Sequence, residues 1–268
     1  MRSVASGHLL LAIGLAGISA LSLLSGDFAY TWQPVPDWIV WRSGLAHTFG
    51  ALMLVVSIAM LVPRTARAST FIISIYLMAW VLLLHAPRVA RNPANVGMWL
   101  GLSESVVLVC GVWVLFLLYP RSTREPARGM ISKPQLPRFL FAASCLILGL
   151  SHFVYANFTA GMVPVWLPDH LAFAYLTGAG HFATGLAILF GVLARLAATL
   201  EACMISSFVL LLHIPGILSA PSNRMQWTMT FVALAIAGAA WVVAGSLRAS
   251  SWGWDSRNIA SDAQPQRN

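Results

Sequence analysis

Apolar residues fill this chain in eight long runs, and the short stretches between them carry nearly all of its charge. The runs cover residues 8–25, 38–62, 70–87, 98–118, 138–156, 171–193, 199–217 and 227–247. None shows the period-two alternation of a half-buried strand. Each is a block of about 18 to 25 residues, long enough to cross a hydrocarbon core as a helix. In lipid every backbone N–H and C=O must be bonded within its own segment, which a helix achieves. The pattern predicts an all-α polytopic membrane protein with eight transmembrane helices.

The runs also repeat. Val81-Leu82-Leu83-Leu84-His85-Ala86-Pro87 matches Val209-Leu210-Leu211-Leu212-His213-Ile214-Pro215, and across 81–99 against 209–227 nine of nineteen positions are identical. Pro93 meets Pro221, Asn95 meets Asn223, Trp99 meets Trp227, and further on Trp113 meets Trp241. Upstream, Pro36-Asp37 aligns with Pro168-Asp169, His47 with His181, and Gly17-Ile18-Ser19 with Gly149-Leu150-Ser151. Arg2 ahead of an apolar, small-residue stretch fits a cleaved signal peptide. The counterpart of that stretch inside the chain predicts instead that the first span is kept. Four spans per copy make the copies parallel, related by an axis along the membrane normal. The expected organisation is two tandem four-helix bundles: 1–118, a linker at 119–137 rich in Arg, Pro and Ser, 138–248, and a polar tail at 249–268 containing Trp252 and Trp254.

Composition agrees. The 268 residues are 59% hydrophobic and 9% charged, against about 25% charged in a soluble domain. The net charge of +8 is explained by topology rather than by nucleic acid, because the basic residues lie between spans. One set of ends carries Arg2, Arg64, Arg67, Arg121, Arg124, Arg128, Lys133, Arg138, Arg195 and Arg248. The other carries Arg88, Arg91 and Arg224 with Asp27, Asp37 and Asp169. The positive-inside rule predicts both termini in the cytoplasm of a bacterial-type inner membrane. Trp32, Trp38, Trp99, Trp166 and Trp227 then form an aromatic belt at the outer interface. Cys110, Cys145 and Cys203 all lie in apolar runs without a C-x-x-C spacing, so they read as buried free thiols.

Polar residues inside spans are few, and each is a candidate. His47 and His181 are expected near mid-membrane, and Gly178 and Gly185 share a helix face with His181. They read either as structural histidines bonded to neighbouring oxygens or as a redox-ligand or proton-handling pair. Glu104 joins them as a candidate buried polar site, paired with Arg88, Arg91 or a histidine, or neutral. Glu201 is expected to reach the inner interface, and Arg42 to snorkel outward. His85 and His213 each precede a proline that should end or kink its helix. They read as caps of the freed carbonyls, or as a polar outer pocket rimmed by Asn95, Asn223, Trp99 and Trp227. Haem is disfavoured within one copy, since His47 should lie about 10 Å deeper than His85 at about 1.5 Å per residue. Only His47 with His181 across the axis would pair. No phosphate loop, nucleophile elbow or metal motif is present.

The second half resembles the DoxX family of small membrane proteins, over about 138–248. The resemblance is carried by Ser151-His152-Phe153, Val163-Pro164-Val165-Trp166-Leu167-Pro168, and Tyr175-Leu176-Thr177-Gly178-Ala179-Gly180-His181 with Gly185 and Gly191. It continues through Arg195-Leu196-Ala197-Ala198, Leu212-His213-Ile214-Pro215 and Pro221-Ser222-Asn223-Arg224. The first half matches mostly through the internal repeat. The resemblance implies four-helix bundles and, for some members, quinone-linked oxidation of sulfur compounds or membrane complexes that handle oxidative stress. Many relatives carry Glu where this chain has His181, so chemistry that uses that carboxylate need not transfer. The expectation is a membrane subunit of a quinone-linked redox system, in contact with the bilayer and other redox subunits. A non-catalytic scaffold or assembly factor and a small-molecule permease are the alternatives.

Overall fold

A computed structural model describes residues 2–119 and 135–247. The tail at 249–268 and most of the 119–137 linker lie outside them. Eight helices are long and apolar enough to cross a membrane, and no strand occurs among the described residues. They are α1 (Arg2–Ser25), α2 (Arg42–Ala59), α3 (Ala66–Arg91), α4 (Val96–Leu118), α5 (Gln135–Val154), α6 (His170–Phe190), α7 (Ala194–Ser219) and α8 (Arg224–Ser246). The chain is a multi-pass membrane protein.

Each helix packs on its neighbours in sequence, α1 also packs on α8, and α4 meets α8 across the middle. The result is a ring of eight helices divided by a central α4–α8 wall. The two halves are therefore not self-contained bundles set side by side, as the repeat alone suggested. In each, the first helix leans on the last helix of the other half: α1 on α8, and α5 on α4.

Small residues set this arrangement. Lipid tails are as apolar as leucine, so helices associate through close packing rather than through the hydrophobic effect. Ala235, Ala237, Gly238, Ala239 and Ala240 make a nearly bare α8 surface, and all five are in its buried interior. Gly7 of α1 faces the Gly238 carbonyl, and a Cβ on Gly7 would lie 2.7 Å from it. Gly14 faces Ala235, and Gly17 faces the Phe231 ring, so α1 and α8 run antiparallel in backbone contact. Gly111 lets α4 approach Ala239 in the same way.

The repeated V-L-L-L-H-x-P segments fold alike. Residues Val81–His85 and Val209–His213 are each a single π-helical turn inside α3 and α7. Proline has no N–H to give to the carbonyl four residues back and its ring crowds that carbonyl. The chain inserts one residue instead. The Ala86 N–H bonds to the Val81 carbonyl, and the Ile214 N–H to the Val209 carbonyl. The helices then continue to Arg91 and Ser219 rather than ending at the prolines.

The following loops are also alike. Asn95 and Asn223 cap α4 and α8, accepting from the N–H groups of Met98 and Met225. The Trp99 and Trp227 indoles donate to the carbonyls of Pro93 and Pro221 at 2.9 and 2.8 Å. Four residues expected to rim a pocket thus first shape two helix starts.

A strap over 26–41 covers this loop end of the first half. It leaves α1 at Gly26 (φ 61°) and enters α2 at Trp41 (φ 65°). Arg42 does not snorkel outward. Its Nε donates to Asp27 at 2.7 Å, and one terminal nitrogen, Nη1, reaches both Asp37 and the Val35 carbonyl. Arg224 at the start of α8 donates to the carbonyls of Asp27 and Phe28 at 2.8 and 2.7 Å and lies 4.6 Å from the centre of the Tyr30 ring. The second half therefore pins the strap of the first. Partial burial pushes the Asp27 carboxyl up. The Arg42 and Phe28 hydrogen bonds and the charges of Arg42 and Arg224 outweigh it, and hold the group below its usual range.

Candidate functional site

The halves share a frame but enclose different interiors. Inside α1–α4 is a narrow cavity. Phe28, Phe49, Tyr76 and Trp80 give it aromatic walls, Gln33 and Glu104 give it polar points, and Val232 of α8 closes one side. The Gln33 amide donates to the Tyr76 hydroxyl at 3.3 Å, and its carbonyl oxygen takes the Ala29 N–H at 2.8 Å. The Phe28 and Tyr76 rings stand 5.4 and 5.5 Å from Trp80, so the aromatic wall is itself packed.

A second, roomier cavity opens at the loop end, lined by His85, Arg88, Asn95 and Gly97 among others. Trp32 and Glu104 line both cavities and stand between them. Glu104 is half-buried, and among the described residues it makes no ion pair with Arg88 or Arg91. Its carboxyl lies against the Trp32 indole. Trp32 is thus folded inward over the cavities, not held in an interfacial belt.

His85 is buried, not an interfacial cap. Its Nε2 faces the Trp32 carbonyl at 3.2 Å and the Ser105 hydroxyl at 3.1 Å. Ser105 donates its own hydrogen to the Gly101 carbonyl, so both partners of Nε2 accept. Nε2 therefore carries the imidazole hydrogen. His213 is also buried, next to Thr230, whose hydroxyl reaches the His213 carbonyl at 3.4 Å. Of the expected outer-pocket residues, His85 and Asn95 meet around one cavity, and His213, Asn223 and Trp227 belong to the other half.

The second half holds a polar cluster in place of an aromatic cavity. His181 Nδ1 and Glu201 Oε1 are 2.6 Å apart, with side chains 4% and 0% exposed. Cys145 donates its thiol to the same oxygen at 3.8 Å. The His152 ring lies edge-on to His181 with centroids 4.9 Å apart, and its Nδ1 meets the Thr177 hydroxyl at 2.9 Å. Glu201 Oε2 is buried without a hydrogen-bond partner. Glu201 does not reach an interface: α7 starts at Ala194, so residue 201 lies two turns inside and faces α5 and α6.

His47 is not part of this cluster. The apolar run suggested a helix from residue 38, but Pro34, Pro36 and the left-handed Trp41 keep the chain in the strap until Arg42. His47 is then in the second turn of α2, exposed, with Nδ1 on the Ser43 carbonyl at 2.8 Å and its ring beside Gly26. His47, His181 and Glu104 do not form one site, and the His47–His181 haem pair is not assembled. Glu104 belongs with His85, and His181 with Glu201. Among the described residues no group of three His, Cys, Asp or Glu side chains is arranged to hold a metal ion.

His152 entered the sequence reading only as part of a family-like motif, and Cys145 as an inert thiol. The spacing held a clue: residues 145 and 152 are seven apart on α5, two turns on one helix face. In the first half, by the Gly17–Gly149 alignment, the same positions are Ile13 and Ala20, and position 73, opposite Glu201, is Ile.

Comparison with known proteins gives no match: no protein-family model, no curated protein and no solved structure aligns significantly with this chain.

Proposed function

We propose that this protein is a membrane subunit of a quinone-linked redox system, with the first-half cavity as the seat of a lipid-soluble ring compound. The observation that carries the reading is the cavity's combination of surfaces. Its walls are flat aromatic rings, and its polar groups are hydroxyls and an amide, neutral apart from Glu104. A quinone head needs aromatic or aliphatic faces above and below its ring, and hydrogen-bond donors at its carbonyl oxygens. The Tyr76 hydroxyl and Gln33 amide supply donors, and Phe28, Phe49 and Trp80 supply faces. The DoxX-like residues of the second half support the same class. The basic residues at one set of helix ends support cytoplasmic termini.

The test is mass spectrometry of the lipid extract from gently purified protein, together with quenching of tryptophan fluorescence by a short-chain quinone. The reading expects a co-purifying quinone, and quenching that weakens in Tyr76→Phe and Gln33→Ala. Extracts without quinone, and a protein that saturating short-chain quinone does not quench, would overturn it. One observation favours a permease as the second reading: the cavities meet at Trp32 and Glu104, aligning a polar vestibule with an intramembrane chamber. Uptake or efflux that changes in Trp32→Ala vesicles would select it.

A further inference from the structure

We infer that His152, His181 and Glu201 form an exchangeable proton site in the second half, one proton lying between Glu201 Oε1 and His181 Nδ1 and reached through His152. It does not depend on what occupies the first-half cavity.

The geometry requires a hydrogen between the two atoms, supplied by an Oε1–H or by the imidazole's own Nδ1–H. An oxygen and a nitrogen at 2.6 Å are closer than two lone pairs tolerate, and the distance is that of a strong hydrogen bond. The surroundings fix the number of protons. From α5 the cluster is faced by His152 and Cys145, from α6 by His181, and from α4 by Cys110 behind Cys145. No arginine, lysine or second carboxylate makes an ion pair with these groups among the described residues. Without a proton the site is a buried carboxylate with no cation beside it. With two it is a buried imidazolium with no anion. Both are costly in a medium of low dielectric constant, whereas one shared proton leaves the pair neutral.

The bare Oε2 says where that proton resides. A carbonyl oxygen loses less than a carboxylate oxygen when it lacks a partner. Glu201 is therefore the acid, with Oε1–H donating to His181 Nδ1 and Oε2 as the unbonded carbonyl.

The way in follows from the exposure of the side chains. Glu201 and His181 are buried at 1% and 3%, while His152 and Thr177 are half-buried. His152 is two residues from the loop end of α5. The Thr177 hydroxyl donates to the carbonyls of Phe173 and Ala174, so it accepts from His152, whose Nδ1 then carries the hydrogen. That leaves His152 Nε2 as a lone pair able to take a proton. When the proton leaves the pair for His152, an O–H bond breaks and an N–H bond forms. The carboxylate left behind gains an imidazolium within the same cluster, so the cluster as a whole keeps its charge. No electron moves and no oxidant is needed.

Infrared spectroscopy of the full chain in lipid nanodiscs tests this. A carboxyl C=O stretch above the amide I band is expected in the wild type, lost in Glu201→Gln and kept in Glu104→Gln. It should shift on transfer to D₂O. In His152→Phe the band should persist while its deuterium exchange slows by about tenfold or more, the effect of removing a positioned proton carrier. Absence of a Glu201-dependent carboxyl band in the wild type would overturn the site. An exchange rate unchanged in His152→Phe would overturn the route. If Glu201→Gln does not fold, Glu104→Gln decides the first point: a band that persists there supports the site, and a band lost there overturns it.

Discussion

Gly238 offers a sharp test of how this membrane protein coheres. A methyl group there would meet the Leu11 backbone nitrogen and the Gly7 carbonyl, the latter at 2.7 Å. These are backbone atoms, so no side-chain rotation relieves the contact, and α1 must move away from α8. The substitution Gly238→Ala gains about 1 kcal/mol in helix propensity and loses about 1–3 kcal/mol to overpacking. Separation also loosens the Gly14–Ala235 contact one turn along, which puts the net change at about 1–2 kcal/mol of lost stability. Gly44→Ala is the control. Gly44 has nothing within 4 Å of a built Cβ, so the same chemical change should raise stability by about 0.5–1 kcal/mol. Unfolding of the purified protein by increasing mole fraction of sodium dodecyl sulfate, followed by tryptophan fluorescence, reads both. Opposite shifts of the midpoint are expected. Equal shifts would show that close backbone approach does not hold α1 to α8.

Three further outcomes follow. His181→Ala removes the partner of a buried, neutral carboxyl group and should cost about 1–3 kcal/mol, while His47→Ala, at an exposed site, should stay within about 0.5 kcal/mol; the same detergent titration compares them, and similar losses would contradict the burial described. The Asp27 tie depends on a carboxyl group held below its usual value, so it should be fully present above about pH 4 and lost as pH falls through the lowered value; hydrogen exchange over residues 26–41 should show protection at neutral pH that disappears only in strong acid, and loosening near pH 6 would refute the tie. In a chain stripped of its own cysteines, Ser222→Cys should react with an impermeant maleimide added outside intact cells and Arg64→Cys should not; the reverse pattern would invert the proposed orientation.

The eight crossings were legible because an apolar run long enough to span a bilayer has few other uses. What the runs hid was depth. Trp38–Trp41 look as apolar as a helix start, but two prolines and a left-handed Trp41 withhold the helix until Arg42, and His47 moves from the expected mid-membrane position to an exposed second turn. Glu201 was misplaced for the complementary reason: α7 begins at Ala194, earlier than its hydropathy suggested, which carries the carboxyl inside. The repeat pointed correctly to two segments that fold alike. It gave no hint that their prolines would yield π turns rather than helix ends, because the shift from a four- to a five-residue hydrogen bond changes no residue type. The His181–Glu201 partnership joins residues twenty apart on two different helices, and no periodicity within one span reports such a pair.

The seam between α1 and α8 bears on how the protein is made. Synthesis delivers α1 first and α8 last, yet these two are the pair in closest backbone contact. A newly inserted α1 has no α8 to pack against until that helix is made. The first half has no complete wall of its own in that interval, and the second half needs α4 already in place to seat α5. Each half packs its first helix on the last helix of the other. Truncations that remove α8 strip the first half of its closing side as well as the second.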